Sequence, residues 1–132
     1  MTPDQVREAM NDPVARRLLE SANPARLAYL GRDGNPRVVP VGFHWDGTVL
    51  VIGTVPGSAK VSMVDGVFPE YVAAARKLTP IEEFPQWEAG VYALYDHMAR
   101  IDITPTWVRI QDFENRLPQA VEDLARTKFG EP

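Results

Sequence analysis

The chain has 132 residues, of which 45% are hydrophobic and 24% charged, with 9 Gly, 12 Pro and no Cys. That is the size and mix of one globular domain with a real core, and it excludes collagen-like, low-complexity and disordered chains. A net charge of −4 with dispersed basic residues argues against nucleic acid as a partner, and the lack of cysteine excludes disulfides, thiolate nucleophiles, zinc–thiolate sites and iron–sulfur clusters.

Thr2-Pro3-Asp4-Gln5 has the form of a capping box, with Thr2 as N-cap, Pro3 at the first helical position and Gln5 reaching back. The pattern restarts at Asp12-Pro13, with Val14, Leu18 and Leu19 on one face until Ala22-Asn23-Pro24 stops it. Two short helices are therefore expected within residues 1–24. Residues 25–30 form a short apolar run, Gly31-Arg32-Asp33-Gly34 is turn chemistry, and residues 37–44 are rich in β-branched side chains, so a hairpin follows. Trp45-Asp46-Gly47 turns the chain into Thr48-Val49-Leu50-Val51-Ile52, whose consecutive apolar residues suit a strand buried on both faces. Three successive antiparallel strands are expected here, with a strand remnant at residues 61–64. Pro40 has no amide hydrogen, so its position in the second strand requires an edge, a bulge or a ligand.

Residues 69–78 have the composition of a short helix. Thr79-Pro80-Ile81-Glu82 is a second capping box, and Phe84, Trp87, Val91, Leu94, Tyr95 and Met98 recur at helical spacing after it, with a bend or break at Pro85 and Gly90. Ile101 and Ile103 alternate with Asp102 and Thr104, and the same period runs past Pro105 to Ile110, which predicts a fourth strand. Pro118 opens a last helix that turns Val121, Leu124 and Ala125 toward the body and ends at Gly130. No uncharged apolar run approaches the ~18 residues of a membrane helix, and the first residues lack a basic stretch followed by an apolar one. The expectation is a cytoplasmic protein with no membrane partner.

The segment richest in chemistry is Gly53-Thr54-Val55-Pro56-Gly57-Ser58-Ala59-Lys60, directly after the most apolar strand. Its glycines let backbone amides converge, Thr54 and Ser58 offer hydroxyls and Lys60 a compact positive charge, which together suit a phosphate, although the spacing is not that of a Walker loop. An ordinary turn with a solvated lysine has the same pattern. His44 and His97 lie far apart without metal-ligand spacing, so no metal site is expected. Ser58 has no nucleophile elbow to make a triad with His97 and Asp96 or Asp102. Glu82, Glu83, Glu88 and Asp96 read as a solvated helix face, and Trp87, Tyr92, Tyr95 and Met98 as core or dimer interface rather than a pocket.

The order of these pieces resembles the pyridoxamine 5′-phosphate oxidase-like family of flavin-binding split barrels. The resemblance rests on residues 28–43, on Gly57-Ser58-Ala59-Lys60, on Val64-Asp65-Gly66-Val67 with Pro69-Glu70-Tyr71-Val72, and on Thr104-Pro105-Thr106-Trp107-Val108-Arg109. It implies one α+β, mainly β domain: a shortened split β-barrel of antiparallel strands with flanking helices. Residues 1–24 would be N-terminal helices, 25–64 strands and phosphate loop, 68–99 helices, and 100–132 the last strand and C-terminal helix. It further implies a flavin-dependent oxidoreductase with a small-molecule substrate, binding FMN, or alternatively a deazaflavin, at a homodimer interface. Arg37, Val38, Val39, Pro40 and Val41 would lie along the flavin ring, Thr54, Ser58 and Lys60 would hold the phosphate, and Trp107 would approach the partner subunit's cofactor. Haem ranks below deazaflavin because two histidines leave few ligation options. Where the family has a short helix and two strands after the phosphate loop, this chain has only Val61-Ser62-Met63. That shortening sets up a second expectation, a family member without cofactor that acts as a dimeric interaction module.

Overall fold

The computed structural model describes residues 1–54, 62–114 and 117–130. It is a mixed α+β protein whose described residues form five helices and two antiparallel sheets, and the strands among them do not close into a barrel. The chain divides into two compact units, residues 18–105 and residues 1–17 with 106–132.

In the smaller unit, α1 (Pro3–Met10) starts as its sequence dictates. The Gln5 amide donates to Thr2 Oγ1 at 3.2 Å and the Thr2 amide to Gln5 Oε1 at 2.8 Å, so both halves of the capping box are made. Helix α2 (Pro13–Leu19), whose last two residues belong to the larger unit, follows, its Val14 amide donating to Asp12 Oδ1 at 2.8 Å. Val6, Met10, Val14 and Ala15 are buried, but Leu18 is exposed, so the apolar face of α2 is centred nearer its start than the expected Val14, Leu18 and Leu19. The last helix, α5 (Gln119–Phe129), runs from Pro118 to Gly130, which adopts φ 79°. Val121 and Leu124, expected against the body, are instead exposed, and α5 has no buried residue.

The larger unit carries the strands. β1 (Ala25–Leu30) and β2 (Pro36–Val41) pair antiparallel as a two-stranded sheet, with Leu27 opposite Val39 and Arg26 opposite Pro40. The turn between them is built by Asp33, which accepts the Asn35 amide at 3.1 Å, and by Gly34 at φ 78°. β3 (His44–Trp45), β4 (Leu50–Thr54), β5 (Ser62–Asp65) and β6 (His97–Ile103) form the second sheet in the order β3-β4-β6-β5. Two helices precede β6, namely α3 (Pro69–Leu78) and α4 (Phe84–Leu94).

Four expectations are corrected here. The run 37–44 is not one strand followed by a neighbour: β2 ends at Val41, and β3 pairs in the other sheet. The chain changes sheets at Gly42-Phe43, where a Cβ on Gly42 would stand 3.2 Å from Leu78 Cδ1 of α3, and Phe43 is buried. Thr79 does not cap a helix. α4 begins at Phe84 after a turn in which the Glu83 and Phe84 amides donate to the Pro80 carbonyl, so Pro85 falls in the first helical turn where its missing amide hydrogen costs nothing, and the helix continues through Gly90. Met98 is not helical; it lies in β6, is 1% exposed, and joins Val51 and Phe68 in the core. Finally, β6 ends at Ile103, and residues 104–110 form no strand, Pro105 being unable to continue a ladder. Of the expected remnant at residues 61–64, residue 61 lies outside the described residues and the rest falls in β5, which pairs with β6 at the end of the strand order.

Among the described residues no helix is long and apolar enough to cross a membrane.

Candidate functional site

A cleft of about 720 Å³ opens in the larger unit, lined by β1, β2, β4, β6, α3 and α4. One wall is the two-stranded sheet. Side chains alternate across a strand, so Leu27, Tyr29, Val39 and Val41 share the face toward the cleft while Ala28, Leu30 and Val38 share the other. Ile52, Gly53 and Thr54 of β4 with Ile101 of β6 form the floor. The opposite wall is helical, with Tyr71, Ala74, Ala75 and Leu78 from α3 and Trp87 from α4.

Gly53 fixes how the helical wall sits. A Cβ there would collide with the Tyr71 ring and stand 3.0 Å from Phe68 Cζ, so only glycine lets the aromatic residues rest directly on β4. From that support an aromatic series runs outward. The Phe68 and Tyr71 rings meet edge-on with centroids 6.1 Å apart, Tyr71 and Trp87 lie at 5.9 Å, and Trp87 stacks on Phe84 at 5.6 Å. The Arg76 guanidinium covers Phe84 at 4.5 Å from the ring centroid. Burial, with the nearby Tyr95, raises the pKa of the Tyr71 phenol, so it stays neutral well into the alkaline range.

Among the described residues no lining side chain carries a charge. The polar groups are the Tyr29, Thr54, Tyr71 and Thr79 hydroxyls and the Trp87 indole N–H. Such a surface holds a ligand by apolar and ring contact and orients it by a few hydrogen bonds.

Several charged groups of the unit make contacts elsewhere. Arg100 Nε donates to Asp102 Oδ1 at 2.9 Å and its Nη1 lies 3.3 Å from Glu70 Oε2. Desolvation opposes the charge of Arg100, but its two carboxylate partners outweigh it and raise its pKa. Lys77 Nζ donates to the Leu19 carbonyl at 2.9 Å and sits 3.9 Å from the Phe43 ring centroid, and burial lowers its pKa. His97 Nδ1 lies 3.1 Å from Asp65 Oδ1 across β5 and β6. Among the described residues no three His, Asp or Glu side chains gather as metal ligands.

The residues singled out from sequence divide accordingly. Val39, Pro40, Val41 and Thr54 all line the cleft. Arg37 is on the same strand but turns to the hairpin tip, where its Nη2 donates to Asp33 Oδ2 at 3.0 Å. Val38 is on the outer face and exposed. Trp107 is exposed and belongs to the smaller unit. Ser58 and Lys60 lie outside the described residues. Sequence reasoning assigned Trp87 to core or interface, and it did not single out Tyr71 as a site residue; both line the cleft. The one signal for them was aromatic residues on consecutive helices beside the glycine that ends the most apolar strand.

Comparison with protein-family models, with curated proteins and with solved structures found no match to this chain.

Proposed function

We propose that the chain is a flavin-dependent oxidoreductase of the pyridoxamine 5′-phosphate oxidase-like class, a shortened split barrel that holds FMN over β2 and acts as a homodimer on a small molecule. The observation that carries this reading is the convergence of Val39, Pro40, Val41 and Thr54 on one uncharged cleft of about 720 Å³. The lining fits one part of FMN. Apolar walls, three aromatic side chains and scattered hydroxyls suit a neutral planar ring system, and the volume is that of an ordinary small-molecule site. The described lining has no cation for the phosphate; in this reading Ser58 and Lys60, four and six residues beyond Thr54 in the sequence, supply the hydroxyl and charge that a phosphate requires.

Bound FMN would supply the hydride chemistry. The chain's own residues do the rest: Leu27, Val39 and Val41 keep water from one wall, and Thr54 marks the end toward the phosphate loop. Among the described residues β2 has a single strand neighbour, so one of its edges retains backbone groups for a polar ring edge, and Pro40 fits there because it has no amide hydrogen to satisfy. The homodimer is supported by the outer face of the same sheet, where Leu30 and Val38 are exposed beside strand edges that have no strand partner among the described residues.

The test is to measure FMN and riboflavin affinities by equilibrium dialysis for the natural chain and for Lys60→Ala. Loss of the charge weakens FMN by about 1.5–3 kcal/mol and leaves riboflavin unchanged. An unchanged FMN affinity would remove Lys60 from the phosphate site, and tighter retention of a deazaflavin than of FMN would change the cofactor while keeping the cleft.

A further inference from the structure

We propose that α5 pairs antiparallel with α5 of a second copy of this chain, an association that depends neither on a flavin nor on the outer face of the hairpin. Val121 and Leu124 stand about one helical turn apart on one face of α5 and are 44% and 59% exposed, with the exposed Ala120 beside them. Leu117, just before the helix, is exposed as well. Glu122, Asp123 and Arg126 are turned away from this stripe. A helix this short draws its stability mainly from packing an apolar face, and α5 has no buried residue.

The order of charge along α5 identifies the occupant. Its acidic residues, Glu122 and Asp123, come before its basic ones, Arg126 and Lys128. Two such helices laid parallel place like charge level with like. Turned antiparallel about a two-fold axis between Leu124 and Ala125, they bring the acidic half of each level with the basic half of the other and set their helix dipoles in opposition. In that register Leu124 meets Leu124 of the partner subunit near the axis, and Val121 comes level with Lys128 of the partner subunit. Lys128 follows Leu124 by four positions and so ends the same stripe; its methylene stem covers Val121 of the partner subunit while its ammonium group reaches the acidic half.

A surface complementary to itself closes into a two-fold pair. The alternative occupant of an amphipathic helix, an anionic lipid surface, is disfavoured because α5 carries two acidic and two basic residues and the whole chain has a net charge of −4.

The experiment is light scattering of the full chain over a concentration series, in a Val38→Glu background that removes association through the hairpin face. This chain should still form dimers, and adding Leu124→Glu should raise the dissociation constant by about tenfold or more with the far-UV spectrum and urea midpoint unchanged. Since the natural chain has no cysteine, single thiols report the register: an oxidised mixture of Val121→Cys and Lys128→Cys chains should give the mixed covalent dimer in preference to either like pair. A folded Val38→Glu chain that stays monomeric would overturn the proposal, and Val121→Cys pairs in excess would overturn its antiparallel sense. So would a Leu124→Glu variant that loses stability without a change of mass, which would place this face against the chain's own body. A monomer that sediments with phosphatidylserine vesicles only while Leu124 is intact would replace the second copy by a lipid surface. Pairing by a chain that retains no FMN leaves this proposal standing and overturns the flavin reading alone.

Discussion

In the four-stranded sheet, Val51 and Ile52 of β4 and Met98 and Ala99 of β6 are all buried; in the two-stranded sheet of the same unit no residue is buried, and Leu30 and Val38 are exposed. One sheet is covered by α3 and the aromatic residues around it, while the other has the cleft on one face and the exposed Leu30 and Val38 on the other. An isolated two-stranded hairpin is only marginally stable in water. The stability of the unit is thus concentrated in β4 and β6, and the strand assigned to the ligand draws little of its own from burial. Such a distribution is common where a binding surface must be exposed before its ligand arrives.

Substitutions should separate the two sheets by size of effect. Met98→Ala removes a side chain that is 1% exposed at the centre of the core, and it should cost about 2–5 kcal/mol in urea unfolding. A loss under 1 kcal/mol would mean that the core is not centred on β6. Gly53→Ala forces a methyl group into the Tyr71 ring, so it should cost about 1–3 kcal/mol and also disturb the helical wall, which a parallel ligand titration would detect. Stability loss without any change in ligand affinity would detach Tyr71 from the site.

The turns at the two hairpin tips use the same device, and acid should affect them alike. The Asn35 amide and side chain hold the Asp33 pKa below its ordinary value, and the Val49 and Thr48 amides do so for Asp46. A carboxylate lowered in the fold contributes stability above its ordinary pKa, and that contribution is lost as pH falls through the lowered value. Asp46→Asn keeps an acceptor oxygen but no longer titrates, so its stability should fall less steeply with acid than that of the natural chain. An identical acid limb would show that the turn does not contribute to it. The smallest effect is expected on the outer face of the hairpin, where Val38→Thr should change the stability of a single copy by no more than about 0.5 kcal/mol. A larger loss that depends on protein concentration would show a second copy covering this face.

How far the sequence could be read depended on the range of the interactions involved. The Thr2 capping box, the Asp33-Gly34 and Asp46-Gly47 turns and the helix over 69–78 follow from contacts a few residues apart, and each is present. The sheet change at Gly42 was not legible because strand-favouring residues stand on both sides of it, Val38, Val39 and Val41 before and Phe43 and Trp45 after, and what meets the chain there is Leu78, 36 positions away. Met98 kept helical spacing with Leu94 and Tyr95, yet its side chain is claimed by the core between β4 and α3. The Thr79 capping box lost to Pro85, which begins a helix more readily than it continues one. For the cleft, Val39 to Val41 and Thr54 could be named from one segment each. Tyr71 and Trp87 could not, because their role comes from Gly53 letting α3 approach β4, a distance relation that no local pattern records.

The most direct test of the proposed cofactor site is the visible absorption spectrum of the purified chain after incubation with FMN and desalting. The flavin reading predicts a retained flavin band at close to one cofactor per chain. A folded protein with no such band, and with a thermal midpoint unmoved by added FMN, would contradict it.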